Sequence, residues 1–239
     1  MNARVDIGGP DRPSHSAADW LAERIPALCD ASGALPPQAV LAQELGVSRA
    51  LLREAISQLV ARGVVDVRTK VGSRVVEERQ WQIVDRHVVG WRLARATDPA
   101  FAADIAAIRS VLEPIAAADA AQHATPEQRA RITVACATRL TATSLATYVA
   151  ARHELHVAIL AASANQVLQQ LTCLVPTPDR MGAHDAGAPA IAAGERQALA
   201  LLEAAIRNGD SGAARAGIER LNRWDLPRIG GGHSDAHDY

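Results

Sequence analysis

The chain has 239 residues, 49% of them hydrophobic and only 3% aromatic, with a formal net charge of −1. That length suits one large domain or two small ones with their own cores, and no apolar run reaches the roughly 20 residues of a bilayer-spanning helix. Cys29, Cys136 and Cys173 are far apart and form no CxxC pair, which argues against a disulfide framework or thiolate zinc site and fits a reducing cytoplasm, the expected location.

Residues 1–15 are polar and contain Gly and Pro, so a flexible tail is expected there. Residues 16–30 carry apolar side chains at helical spacing, and Gly33 with Pro36-Pro37 ends that rhythm. A short helix, QAVLAQEL, follows, then Gly46 as a turn, then a helix opening after Ser48. On that helix Leu52, Ala55, Ile56 and Leu59 form the stripe to be buried, so Arg49, Ala50, Arg53 and Ser57 face outward together. Gly63 closes it, and β-branched residues on either side of TKVG predict a hairpin within 64–76.

Residues 77–95 read as one linking helix, with Trp81, Val84, Val88 and Trp91 on one stripe. From about residue 96 to 228 the chain is Ala-rich and helical throughout, with stretches near 98–122, 126–143, 145–163, 165–175, 189–208 and 211–223. Thr125, Asn165 and Asp210 stand where side chains cap helix N-termini. The loop 176–188 and the tail 229–239 are the poorest candidates for order. The expected fold is mainly α: a helix–turn–helix domain with a small β-hairpin at 16–76, the linking helix at 77–95, and an all-α bundle at 96–228.

Charge is concentrated in the first of these. Residues 48–76 hold six basic side chains (Arg49, Arg53, Arg62, Arg68, Lys70, Arg74) against Glu54 and Asp66. A helix N-terminus bearing arginines suits phosphate oxygens and guanine edges, because a guanidinium donates two parallel hydrogen bonds. A basic hairpin beside it is placed to run along a sugar–phosphate backbone. The expected macromolecular partner is double-stranded DNA. One helix–turn–helix reads few base pairs, so a homodimer on a palindromic operator is expected. No membrane partner is.

The run LPPQAVLAQELGVSRALLREAISQLVARGVVDVRTKVGSRVV resembles the winged helix–turn–helix of the GntR family of bacterial transcription regulators. The likeness lies in Leu35-Pro36, Leu41-Ala42, Val47-Ser48-Arg49, Leu52-Arg53-Glu54-Ala55, Gly63 and Gly72. It implies that Ser48, Arg49 and Arg53 contact DNA, with Arg68, Thr69 and Lys70 on the wing. Gln38 and Ala39 depart from the glutamate or arginine frequent after the family's LP, which removes one expected DNA contact.

The second half resembles the FadR-type branch, whose all-helical FCD domain binds a small metabolite, often a carboxylate. Ile108–Glu113, His153-Glu154-Leu155-His156, Ala162–Asn165 and Leu202–Ile206 before Gly209-Asp210 carry that likeness. The linker run also resembles members that respond to sugar acids. The resemblance implies an effector site in this domain and a repressor released by its ligand; Arg109, Arg152, His156 and Asn165 are the candidate residues for that site.

Many members hold a divalent metal with one aspartate and three histidines. Here only His156 matches. The residue four before it is Arg152, and the other histidine places fall near Leu199 and near Arg220 or Leu221. An arginine in place of a carboxylate opposes a cation, so no metal or other cofactor is expected. Two readings of Arg152 stand: it meets the effector's carboxylate alongside Arg109, or it pairs with Glu113 or Glu154. His153 and His156 read as a solvated or core-edge pair, with zinc as the lesser alternative. No catalytic motif is met, so the chain is not read as an enzyme. The rival from another class is a helical scaffold with a degenerate helix–turn–helix.

Overall fold

The computed structural model describes residues 16–68, 72–94, 99–178 and 190–225. Thr69 and Lys70, both expected tails, and most of the 176–188 loop lie outside the described residues. The chain divides into two compact units, residues 1–92 and 93–239.

In the first unit, α1 (Ala17–Leu28) opens on a reciprocal cap. Ser16 Oγ accepts from the Asp19 amide at 3.2 Å, and the Asp19 carboxylate accepts from the Ser16 amide at 3.0 Å. Helix α2 (Gln38–Leu45) ends on Gly46, whose φ of +65° is the left-handed conformation that lets the chain turn sharply into α3 (Arg49–Ala61). Strands β1 (Val65–Arg68) and β2 (Gly72–Val75) pair antiparallel, Val65 opposite Val75 and Arg68 opposite Gly72. The segment before α2 belongs to this hairpin too. Ala34 bridges Arg74, and the Leu35 amide donates to the Ser73 carbonyl at 2.9 Å. Gly33 is required there: φ is +82°, and an added Cβ would sit 3.2 Å from the Val75 carbonyl oxygen.

The expected linking helix over 77–95 is not continuous. A 3₁₀ turn at Glu78–Gln80 is followed by extended chain, and a helix, α4, occupies only Arg86–Leu93. Two side chains impose the break. The Trp81 indole N–H donates to the Val76 carbonyl at 2.8 Å, and Asp85 Oδ1 accepts from the amides of His87 and Val88 at 2.8 and 3.2 Å, starting α4 afresh. Trp81, Val88 and Trp91 join Leu21, Ile25, Leu52 and Leu59 in one core, whereas Val84 is 60% exposed and off the stripe. Helix α4 is therefore part of the first unit's core.

The second unit contains α5 (Pro99–His123), α6 (Pro126–Leu140), α7 (Leu145–Ala162), α8 (Gln166–Gln170), α9 (Ala193–Asn208) and α10 (Ser211–Asp225). Helix α10 packs on α9 and α5, α6 on α7 and α9, and α5 on α7. Thr125, Asn165 and Asp210 cap as the sequence predicts. The expected helix at 165–175 instead stops at Gln170 and tightens into a 3₁₀ turn, with extended Val175 before Pro176. Ala116, Ala117, Ala120 and Ala121 are all 0% exposed and packed with Leu155, Leu202 and Ile218. Their small size serves helix contact inside the unit.

Candidate functional site

Helix α3 buries Leu52, Ala55, Ile56 and Leu59, so Arg49, Ala50, Arg53 and Ser57 share the exposed side. Ser48 Oγ accepts from the Leu51 amide at 3.1 Å and is itself exposed. Neither Arg49 nor Arg53 forms an ion pair among the described residues. Arg68 and Arg74 are exposed on the hairpin, Arg68 with its Nε 2.7 Å from Asp66 Oδ2. Such an exposed pair is worth at most about 1 kcal/mol and yields readily to a phosphate. Arg62 differs from the other bases of this segment. Its Nε meets Asp85 Oδ2 at 3.0 Å and its Nη1 the Gln58 carbonyl at 3.1 Å, so it braces α3 against the start of α4. The arrangement is a helix N-terminus carrying two unpaired guanidinium forks beside a basic hairpin.

In the second unit, Arg109, Arg152 and His156 do come together, in the company of residues the sequence reading missed. Arg109 Nε lies 2.7 Å from Glu113 Oε1, one turn along α5. His156 stands between two carboxylates, Nδ1 3.0 Å from Glu113 Oε2 and Nε2 2.9 Å from Asp225 Oδ2. Arg139 of α6 grips Asp225 with both terminal nitrogens, at 2.8 and 2.7 Å, and Glu195 with Nε at 2.9 Å. Tyr148 accepts from Arg139 at 3.0 Å and donates to Glu195 at 2.8 Å. Arg152 Nη1 is 3.9 Å from Asp225 Oδ1. Five helices thus converge on one buried ionic cluster.

Carboxylates accept only, so His156 satisfies both neighbours as an imidazolium that donates twice. Burial alone would drive its pKa down, but the charge of Glu113 and the hydrogen bond to Asp225 outweigh this and raise it. Burial likewise opposes ionised Glu113, yet His156 and Arg109 bring its carboxyl down to about 2. Asp225 is lowered as well, against its own burial, by His156 and Arg139.

These residues do not fit the divalent cation of the resembled family. Both nitrogens of His156 are hydrogen-bonded to carboxylates, Leu199 is buried among apolar side chains, and the guanidiniums of Arg139 and Arg152 occupy the surroundings. Among the described residues no group of three or more His, Cys, Asp or Glu is arranged to hold a metal. His153 is turned away, its Nδ1 2.9 Å from the Pro176 carbonyl. Glu113 is engaged by Arg109 and His156, and Glu154 by Arg131. Asn165 stands apart, exposed beyond the end of α7, its carboxamide oxygen capping α8.

Arg139 left a trace in the sequence. It follows Ile132, Ala135 and Cys136 at the i, i+3, i+4, i+7 positions of the buried stripe of α6, where a cation needs an internal carboxylate. Asp225 left none, since nothing local extends α10 to it.

Comparison with known proteins agrees with both units. The model of bacterial regulatory proteins of the gntR family matches residues 18–75, and that of the FCD domain matches residues 104–223. The galactonate operon transcriptional repressor of Escherichia coli K12 is 29% identical over 147 residues, 61% of this chain and 64% of the relative. The uncharacterized HTH-type transcriptional regulator YieP of the same organism is 32% identical over 120 residues, 50% of this chain and 52% of the relative. The chain thus spans between half and two thirds of these relatives. The solved structure of Lar, which controls expression of the Listeria monocytogenes agr system, shares the fold with a TM-score of 0.53 at 19% identity, over 87% of this chain and 92% of that one. With a GntR domain followed by an FCD domain that fills half its length, the chain belongs to the gntR family of bacterial regulatory proteins.

Proposed function

We propose that the protein is a DNA-binding transcription regulator, a homodimeric repressor acting in the cytoplasm whose hold on a palindromic operator is controlled by a small carboxylate or sugar acid. The observation that carries the DNA-binding part is the exposed face of α3, where Ser48, Arg49 and Arg53 project at the helix N-terminus next to the basic hairpin. No helix among the described residues is long and apolar enough to cross a membrane. The carboxylate reading is supported by the convergence of Arg109, Arg139, Arg152 and His156, and the repressor reading by the galactonate repressor among the relatives. The misfit of the cluster to a divalent ion supports regulation without a metal. Control is then a coupling free energy between effector site and operator site.

Selection from a random duplex library identifies the operator. Binding to it falls steeply with added salt, as phosphate contacts require, and Arg49→Ala abolishes it with melting temperature and dimerisation nearly unchanged. Salt-independent or absent binding favours a helical scaffold instead. A thermal-shift screen of sugar acids with and without EDTA tests the second unit. Stabilisation that EDTA removes would overturn the metal-free reading.

A further inference from the structure

The cluster contains three carboxylates, and they are not equally anchored. Glu113 lies in the middle of α5, and Glu195 in the first turn of α9, where the helix dipole favours an acid. Asp225 is the last residue of α10, where the dipole disfavours one. It is held nevertheless, 1% exposed, by both terminal nitrogens of Arg139 and by His156 Nε2. If it left, His156 would keep Glu113 and Arg139 would keep Glu195, so neither cation would be stranded. Three donors would then surround a space the size of one carboxylate, with Arg152 at its edge.

We propose that Asp225 is an internal stand-in for the effector's carboxylate: it occupies the Arg139 fork in the resting protein, and an incoming carboxylate evicts it and frees the last turn of α10. This rests on the carboxylate-effector reading above. The surface of α9 and α10 beside the last turn of α10 carries a cleft lined by Gly194, Gln197, Arg220, Arg223 and Trp224, whose two arginines suit an anion. Trp224, next in sequence to Asp225, lies over Gly194, where an added Cβ would come 3.3 Å from its ring. It is also the only tryptophan in residues 93–239, so it reports on this turn.

The test uses the full chain as wild type, Asp225→Ala and Asp225→Asn, the last keeping the side-chain volume should alanine prevent folding. Acetate and D-gluconate are titrated, read by melting temperature and tryptophan emission. With its internal competitor removed, the site binds acetate roughly tenfold to a hundredfold more tightly in the variants than in wild type. Gluconate changes the emission of wild type and leaves that of Trp224→Phe unchanged. Equal affinities in wild type and both variants, or no binding to either variant, overturn the proposal. Release of operator by a carboxylate whose affinity ignores Asp225 overturns it and leaves the effector reading intact. No carboxylate releasing operator from wild type, even with tight acetate binding by the variants, defeats the effector reading and the proposal with it.

Discussion

Arg139 and Asp225 meet through two parallel hydrogen bonds, of 2.7 and 2.8 Å, with both side chains shut off from solvent. The pair ties α6 to the end of α10, and the remaining Arg139 donors reach α9 and α7 through Glu195 and Tyr148. A buried cation in such a position is held only as long as a carboxylate stays beside it.

Replacement of Arg139 should therefore be severe. Arg139→Met keeps apolar bulk but leaves Glu195 a buried carboxylate without its cation and Asp225 without its two-pronged partner, at a cost of about 3–5 kcal/mol in urea denaturation. Arg131 pairs with Glu154 with both side chains more than a third exposed, so Arg131→Ala should change stability by less than about 1 kcal/mol.

The cluster should also limit stability on both sides of neutrality. Glu113 has its carboxyl lowered from 4.5 to about 2, so its contribution is complete above 4.5 and disappears as pH falls toward 2. His156 is raised above 6.5, so its contribution is complete below 6.5 and disappears as pH rises through the higher folded value. A melting curve against pH should peak between 4.5 and 6.5, and His156→Gln should flatten the alkaline side and also weaken the acid side, because His156 helps to lower Glu113.

Asp19 plays a comparable part in the first unit. It caps α1 and accepts from Trp91 Nε1 at 2.8 Å, with His87 Nδ1 at 3.0 Å, which binds α4 to α1. Asp19→Ala removes the reciprocal half of the capping box, worth about 1 kcal/mol or less, with the Ser16 cap kept, and leaves the buried indole N–H without an acceptor, worth about 1–3 kcal/mol. Chemical denaturation should show the sum of the two. Burial opposes ionised Asp19, but its hydrogen bonds hold the carboxyl at about 2, so wild type should lose this contribution as pH falls from 3.8 toward 2.

Gly217→Ala should destabilise although it improves helix propensity. Propensity offers about 1 kcal/mol. An added Cβ, however, would lie 2.9 Å from Leu202 Cα, backbone that cannot step aside without parting α9 from α10. Overpacking of this kind costs about 1–3 kcal/mol. A lower midpoint in urea denaturation checks the sign, and Gly212→Ala, whose nearest neighbour is the Asp210 side chain at 3.5 Å, is the control.

Local physics made the exposed basic face of α3 legible. The four-residue stripe of α3, the Ser48 cap and the glycine turn at residue 46 depend on neighbours within a few positions, and they alone determine that Arg49 and Arg53 point outward. The same holds for the Thr125 cap and the helical character of the second half. The 77–95 segment was misread because its breaks come from contacts periodicity does not register: an indole reaching back to Val76 and a carboxylate capping two amides. Arg62 counted as a basic face residue until Asp85, 23 positions away, took it inward.

The effector-side cluster was the least legible for the same reason, carried further. Arg109, Arg152 and His156 can be named from the sequence, but their meaning depends on acceptors far along the chain. Asp225 is 69 residues from His156 and 86 from Arg139. Which carboxylate meets which cation is decided by how α10 packs on α5 and α9, because a charge buried in a low dielectric takes the partner that packing delivers. Spacing along one helix determined the exposed basic face of α3; only the assembled bundle decided that the arginines of the second unit already hold a carboxylate of their own.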